Sequence, residues 1–353
     1  MWITSSLRAA KTPTNIALGN FDGVHLGHQQ VMAQVLAGRF PRQASNLLEA
    51  QSIAALHSGM VAAGHSDLSE SDRSNIGSDI VGQLSKSPGV SPAVQATVVT
   101  FSPHPQEYFS GVPKPLLTPI AEKTWQLAQI GIQQLVMLPF NPALAELSPA
   151  EFVAQILIKG LQAEQISVGS DFRFGKGRCG DAEMLETIAA RYGVPVQQVP
   201  LKHEKGDRIS SSRIRQALQS GDLEVATRLL GHPYILTGRV IRGQQLGRTI
   251  GFPTANLQLP ADKYLPRTGV YSVRAYGVGD QPLPGVMNIG NRPTVSGQAL
   301  SVEIHLLDWA GDLYGQTLTV SLEGFVRAEQ KFDSLTALKT QIAADCQVAI
   351  ATL

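Results

Sequence analysis

The sequence is poor in cysteine, in net charge and in long apolar runs, and each shortage narrows what the chain can be. Of 353 residues only Cys179 and Cys346 are cysteine, which excludes a disulfide framework and points to a reducing, cytoplasmic compartment. The formal charge is +1, so there is no overall electrostatic pull toward nucleic acid or an anionic membrane, and any phosphate must be held locally. No apolar run reaches the about 18 residues of a membrane span. The opening MWITSSLRAAKTPTN has no apolar core of the kind a signal peptide carries. What remains is a soluble cytoplasmic enzyme with neither nucleic acid nor membrane as partner, long enough for two hydrophobic cores.

What is present centres on Gly19 to His28, GNFDGVHLGH. Asn15 to Leu18 before it is an apolar run of strand length, and Val31, Met32, Val35 and Leu36 after it recur at helical spacing. His25 and His28 are therefore expected on a turn that feeds a helix start, where free N–H groups and the helix dipole favour an anion. Gly27 between them lets a phosphate approach the main chain with no Cβ in the way. A nucleotide phosphate is the reading adopted. A metal site completed by His104, or two ordinary loop histidines, are the competing ones.

From Gly38 to about Gln95 the periodicity is lost and Ser, Gly, Ala and Gln dominate, which predicts an insertion that is partly helical over Asn46 to Ala63 and otherwise disordered. Beyond it strands and helices alternate. Ala96 to Phe101, Gln134 to Leu138, Gln165 to Gly169 and Pro195 to Val199 read as strands. Ile120 to Gln129, Pro149 to Leu157 and Asp181 to Arg191 read as helices. The alternation predicts an α/β domain with a mostly parallel sheet, whose ligands bind beyond the carboxyl ends of the strands. Two more stretches leave strands there: Gly169 to Gly175, carrying Asp171 and two aromatics, and Asp207 to Arg215, where Ser210, Ser211 and Ser212 open a helix flanked by Arg208 and Arg215. Serine at such a place often only caps the helix. The set as a whole is a dense group of phosphate donors.

Asp222 caps a helix over Leu223 to Leu230, and Gly231-His232-Pro233 then breaks the chain. Residues 1–231 and 232–353 are the two expected domains. The second reads as short strands at Ile235–Val240, Gly269–Tyr276, Pro284–Ile289, Leu300–Leu306 and Thr317–Val326, a small antiparallel barrel or sandwich. A last helix from Ser334 should pack Leu335, Leu338, Ile342 and Cys346 across it. The barrel opens with GRVIRGQQLGRTIGFPTANL, in which Gly243, Gly247 and Gly251 would let a loop cover phosphates, and Thr254 and Asn256 point the same way on an extended segment, so that both could reach one nucleotide-bound Mg²⁺; taken alone, the pattern reads more readily as plain Gly-rich hairpin turns. It is no Walker loop, since Gly-Lys-Ser/Thr is absent. Glu303 alternates with apolar Val302 and Ile304, as on a solvated strand face or as a general base.

Taken together, GNFDGVHLGH, TFSPHP, GSDFRFG and ISSSRIR resemble the nucleotidyltransferase module of the bifunctional prokaryotic riboflavin kinase/FMN adenylyltransferase (FAD synthetase) family, and GFPTANL, GVMNIGNRPTV, VEIHLLD, DLYG and VRAEQKF resemble its flavokinase module. The order is kept over nearly the whole chain except the insertion. Ser212 stands where the family usually has threonine, Ser102 where an acidic residue is common, and the insertion is long for the family. The resemblance implies a Rossmann-like N-terminal domain and a flavokinase-like barrel. It implies phosphorylation of riboflavin to FMN by ATP in the barrel and adenylylation of FMN to FAD, with release of pyrophosphate, in the first domain. For the kinase it implies Mg²⁺ on Thr254 and Asn256, Gly243 and Arg248 on the ATP loop, Glu303 as base and Arg327 at the flavin. For the adenylyltransferase it implies nucleotide contacts from Gly19, Phe21, Gly27, Asp171, Arg208, Ser211, Ser212 and Arg215, with His25 and His28 stabilising charge. The competing enzyme reading is a nucleotidylyltransferase of another substrate with a non-catalytic flavin-binding barrel. A homo-oligomer is left open.

Overall fold

The computed structural model describes residues 1–36, 93–243, 246–294 and 297–353. The insertion expected over 38–95, with its partial helix, lies outside the described residues apart from Ala93 to Gln95, and Gln95 already belongs to a strand.

Six parallel strands form the first sheet: β1 (Trp2–Thr4), β2 (Thr14–Leu18), β3 (Gln95–Ser102), β4 (Gln134–Pro139), β5 (Ala163–Gly169) and β6 (Val196–Val199). Their order is β1-β4-β3-β2-β5-β6. Helices cover both faces. Ala17, Val98 and Leu135 pack on Val31, Met32 and Val35 of α1 (Leu26–Leu36), whereas Ile16, Leu18, Val99 and Val136 pack on Phe152, Val153 and Leu157 of a helical run over 149–160. This period of two, apolar on both sides, is what a doubly covered parallel sheet requires. The chain leaves β2 toward β3 on one side and returns to place β5 on the other, so the crevice between the carboxyl ends of β2 and β5 is the topological switch point.

The prolines of SPHP end β3 as expected, but they also start a helix. Pro105 is the first residue of α2 (Pro105–Ser110), and His104 caps it, its Nδ1 accepting the Gln106 amide at 3.1 Å. Further on, α3 (Ile120–Ile130), α4 (Ala182–Ala190), α5 (Ser211–Ser220) and α6 (Leu223–Leu230) lie within two residues of the expected helices.

The C-terminal strands close into a barrel in the order β7 (Tyr234–Ile241), β8 (Ala255–Gln258), β11 (Gly297–Leu306), β10 (Leu283–Thr294), β9 (Gly269–Tyr276) and β12 (Thr317–Arg327), every pair antiparallel. Five of the six strands carry an alternating or β-branched signature in the sequence. The sixth, β8, hides in the Gly- and Pro-rich opening segment. The last helix, α7 (Leu335–Thr352), buries Cys346 and Ala349, with Ile342 against the same cluster. The expected stripe is corrected at Leu335, which is 70% exposed and outside that cluster. The largest apolar cluster contains Ile214, Leu218, Leu229 and Leu230 of α5 and α6 together with Leu236, Tyr271, Met287 and Leu322 of the barrel. The change of pattern at 231/232 is therefore a change of strand type within continuous packing. No helix among the described residues is long and apolar enough to cross a membrane.

Candidate functional site

At the switch point the chain leaves β2 through Gly19 and makes a tight turn in which Phe21 (φ 48°), Gly23 (φ 97°) and Val24 (φ 44°) are left-handed. Two non-glycine residues there are costly, by about 1–2 kcal/mol each, and full burial of Phe21 and Val24 offsets this. The turn delivers His25 to the start of α1, where its Nδ1 accepts the His28 amide at 3.3 Å. One amide of the helix's first turn is thus already satisfied, and His25 Nε2 carries its proton. The two imidazoles stack, with centroids 3.5 Å apart and planes inclined by 16°, and the edge of Phe21 meets His28 at 5.3 Å. A Cβ at Gly27 would lie 3.2 Å from the His25 ring, so this glycine makes room for the histidine stack as well as for an approaching ligand.

Both imidazoles are neutral near pH 7. Burial lowers His25 to about 4, against smaller raising effects from its backbone hydrogen bond and Asp22. Burial and the neighbouring His25 hold His28 well below the ordinary value. His28 Nδ1 is buried with no hydrogen-bond partner, a polar atom that awaits one.

A cavity of about 1080 Å³ opens on this stack. All ten residues that the sequence assigns to the first site line it: Gly19, Phe21, His25, Gly27, His28, Asp171, Arg208, Ser211, Ser212 and Arg215. Ser210 is the cap of α5, its hydroxyl accepting from the Arg213 amide at 3.3 Å. Ser211 donates to the Asp22 carbonyl at 2.7 Å, and Ser212 stays exposed at the cavity. Arg208 pairs with Asp171. Arg215 pairs with the buried Asp22 and donates to the Pro115 carbonyl at 3.0 Å. Each guanidinium keeps donors to spare, having five in all. Asp22 in turn accepts the Thr118 amide at 3.2 Å, and Lys123, buried beneath the turn, donates to the Asn20 carbonyl at 2.9 Å. Among the described residues no group of three or more His, Cys, Asp or Glu is placed to hold an ion. His104 instead faces Lys114, its Nε2 3.4 Å from Nζ, and burial with that neighbour lowers it to about 4.

Sequence reasoning missed the aromatic wall of the cavity, formed by Phe101, Phe109, Phe140, Phe152, Phe172 and Phe174. Phe172 and Phe174 stack at 5.7 Å, and Phe109 meets Phe140 edge-on at the same distance. These rings come from five separate segments, so only GSDFRFG gave a local hint.

In the barrel, strand pairing sets the second site. Asn256 of β8 and Asn288 of β10 stand directly opposite Glu303 of β11, one on each side. Thr254 donates its hydroxyl to Glu303 Oε2 at 3.3 Å, so the Glu303 carboxylate lies in an oxygen-rich cluster and not on a solvated face. Gly243 lies against the Asn256 amide, where any Cβ would collide, and Gly247 is within reach of the Thr254 hydroxyl. Arg248 is in the short helix Leu246–Thr249, with its side chain outside the described set. A cavity of about 390 Å³ is lined by Thr254 together with Arg242, Trp309, Asp312 and Tyr314; of these only Thr254 was an expected site residue, although Asp312 and Tyr314 belong to the DLYG motif. The Arg242 guanidinium sits 5.3 Å from the Tyr314 ring centre. Arg327 does not line that cavity. Its guanidinium forms a two-point pair with the buried Asp345 of α7, at 2.9 and 2.7 Å. Thr254, Asn256 and Glu303 offer only hard oxygen donors, which suit Mg²⁺ carried in by a polyphosphate.

Comparison with known proteins matches these two halves separately. The family model for FAD synthetase covers residues 7–46 and 80–213, and that for riboflavin kinase covers 230–353. The bifunctional riboflavin kinase/FMN adenylyltransferase of Escherichia coli K12 is 45% identical over 70% of this chain and 79% of its own length. The protein of that name from Pseudomonas fluorescens is 37% identical over 94% and 90%, and that from Bacillus subtilis 34% over 95% and 91%. A crystal structure from Streptococcus pneumoniae, described as a macrolide-efflux protein, superposes with a TM-score of 0.73 at 27% identity, covering 99% of this chain and 98% of its own.

Proposed function

The chain belongs to the bifunctional riboflavin kinase/FMN adenylyltransferase family, and from that premise we propose that its two activities occupy the two cavities described above. It is a transferase that uses ATP to phosphorylate riboflavin to FMN and to adenylylate FMN to FAD. The division of labour proposed is residues 1–231 for the adenylyl transfer and 232–353 for the kinase. The cytoplasm, where both cysteines stay reduced, is the proposed compartment.

In the kinase, Glu303 is the base. It lies within hydrogen-bond reach of Thr254 and takes the proton of the ribityl 5′-hydroxyl as that oxygen attacks the γ-phosphorus of ATP. The bond from the γ-phosphorus to the bridging oxygen breaks, and ADP leaves. Thr254 and Asn256 would hold the Mg²⁺, which neutralises phosphate charge when bound. Phosphoryl transfer needs mainly such neutralisation and positioning. Gly243 and Arg248 belong to the loop over the phosphates, and the flat faces of Trp309 and Tyr314 suit the adenine. Arg327, fixed by Asp345, is assigned to the flavin end.

In the adenylyltransferase an FMN phosphate oxygen attacks the α-phosphorus of a second ATP and pyrophosphate departs. FMN phosphate is already ionised, so no strong base is required. His25 and His28, neutral at working pH, act as hydrogen-bond donors to charge developing on the α-phosphate and the leaving group. Arg208, Ser211, Ser212 and Arg215 hold the triphosphate, and Gly19, Phe21 and Gly27 shape its approach. Asp171 orients Arg208. The phenylalanine wall is the proposed berth of the isoalloxazine, a flat apolar body of the kind such rings stack on.

The observation that carries this assignment is that all ten predicted residues of the first site line one cavity at the switch point, while Thr254, at the edge of the other, is bonded to Glu303, which stands opposite Asn256 in the strand pairing. Calorimetric titration of the full chain with a non-hydrolysable ATP analogue and Mg²⁺, with riboflavin or FMN present in turn, tests it. Two nucleotides bound per chain is the expected result. Saturation at one in every condition would remove the two-site assignment.

A further inference from the structure

The barrel reaches into the other module's site through the loop of residues 259–268, which joins β8 to β9. Tyr264 lies with its ring centre 5.5 Å from the Arg215 guanidinium, and its hydroxyl is 3.3 Å from both the Arg215 carbonyl and Gln219 Oε1. The next contact along the loop is the Arg267 amide, which donates to the Leu218 carbonyl at 3.0 Å. One loop thus grips the side chain of Arg215 and the helix that carries it.

The same loop holds the other partner of the Asp22–Arg215 pair, by a separate route. Leu116 forms a parallel bridge with Lys263: its amide donates to the Asp262 carbonyl at 2.6 Å and its carbonyl accepts the Tyr264 amide at 2.8 Å. Lys263 Nζ donates to the Leu117 carbonyl at 2.7 Å. Two residues further, Thr118 binds the phosphate turn twice, through its amide to Asp22 at 3.2 Å and its hydroxyl to the Gly23 amide at 2.9 Å. Asp22 and Arg215 are 193 positions apart in sequence, and the loop fixes the span between them from outside their own module.

We propose that Tyr264, a barrel residue, is a positioning residue for FMN adenylylation: its ring and hydroxyl set the place of Arg215 against Asp22, and so the place of the triphosphate beside the histidine stack. The inference rests on the assignment of Arg215 to that triphosphate. A guanidinium stacked on a ring and tied to a carboxylate has little freedom left, and a misplacement of about 1 Å costs a rate about 10- to 100-fold.

The test uses the full-length chain and assays both activities on each preparation, with steady-state kcat and KM for ATP. Tyr264→Ala is expected to lower the adenylylation kcat about 10- to 100-fold, with a smaller change in KM, and to leave riboflavin phosphorylation at wild-type level, which also reports that the barrel is folded. Tyr264→Phe keeps the ring over Arg215 and should recover most of the rate. Arg215→Ala is measured in parallel. Wild-type adenylylation in Tyr264→Ala with a loss in Arg215→Ala overturns the role of Tyr264 and leaves the site assignment standing. Wild-type rates in both variants overturn the assignment of Arg215 and the inference with it. Equal loss of both activities in Tyr264→Ala and Tyr264→Phe overturns it too, since that is the mark of a general structural role.

Discussion

Exchanging Lys263 for methionine removes half of an ion pair that has almost no access to water. The side chains of Lys263 and Glu122 are 1% and 2% exposed, with Nζ 2.5 Å from Oε2. Lys263 also lies 4.2 Å from the Tyr234 ring centre, and Glu122 Oε1 accepts the Thr237 amide at 3.0 Å. Burial lowers the Lys263 pKa and raises that of Glu122, each partly held back by the other. Removing one member of such a pair costs about 3–5 kcal/mol, because the survivor remains buried with its charge uncompensated. Methionine follows the lysine stem closely, so a cavity adds little. A drop of about 5–10 °C in Tm is expected. The loss also carries a pH signature. Without Lys263 the Glu122 carboxyl rises further above its unfolded value of about 4.3, so the folded variant binds a proton that the unfolded chain releases. Its stability is therefore greatest below that value and falls as pH climbs through the raised pKa. Adding Glu122→Gln keeps an acceptor for Thr237 and leaves no buried charge. The double variant should regain at least about 1 kcal/mol over Lys263→Met and lose the pH slope. Urea and thermal melts between about pH 5 and pH 8 measure all of this. A single variant within about 1 kcal/mol of wild type, or a double variant less stable than the single one, would refute the reasoning.

Glu303→Gln should lower riboflavin phosphorylation about 100-fold as a lost general base, while adenylylation of supplied FMN is unchanged; a parallel fall in both rates would show the sites to be interdependent. His28→Ala removes a buried donor from the first cavity and should slow adenylylation alone by about 100-fold; an unaltered rate would take the imidazole out of the reaction. His25 is 6% exposed and lowered to about 4 from 6.5, so it contributes stability that is present above 6.5 and lost as pH falls through about 4, up to about 3 kcal/mol. Urea melts of wild type and His25→Asn should therefore converge by that amount as the solution is acidified, and parallel curves would count against a buried neutral imidazole. Deleting residues 47–79, which separate the two parts of the FAD synthetase match, should leave both activities within about twofold, since an insertion in a connection is tolerated where the scaffold does not depend on it; an insoluble product would show the stretch to be structural.

The sheet, most of the barrel and the polar lining of the first cavity were legible because their signals are local. Ile16, Ala17 and Leu18 alternate between two apolar faces, and most of the predicted residues that line the first cavity follow strands or open helices, where a sheet's carboxyl edge must place them. The strand Ala255–Gln258 was not legible as such, since it is defined by pairing with Arg239, Val240 and Ile241 on one side and Glu303 and Ile304 on the other and its four residues carry no period of their own. Leu335 misled for the opposite reason. It sits on the apolar stripe of the last helix, yet it is exposed and has no place in the cluster that Ile342 and Cys346 join.

What joins the two halves has no local signature at all. Lys263 and Glu122 are 141 positions apart, and Tyr264 and Arg215 are 49 apart. In sequence Lys263 reads as a surface lysine and Tyr264 as a loop tyrosine. Only the continuous core of Leu117, Leu218, Leu230, Leu236 and Leu322 brings them under the turn that follows β2. That core also explains why buried charge is tolerated there. Lys263 and Glu122 meet across the junction of two apolar surfaces, and Asp22 beside them is matched by Arg215 of α5. Apolar burial alone would press the modules together in many registers, whereas a pair of opposite charges closed from water accepts only one. If the junction serves to fix that register, then a Glu122→Leu/Lys263→Met chain should remain folded and retain its kinase rate, yet show an adenylylation KM for ATP that varies with temperature more steeply than in wild type. A wild-type temperature profile would leave the pair with a role in stability alone.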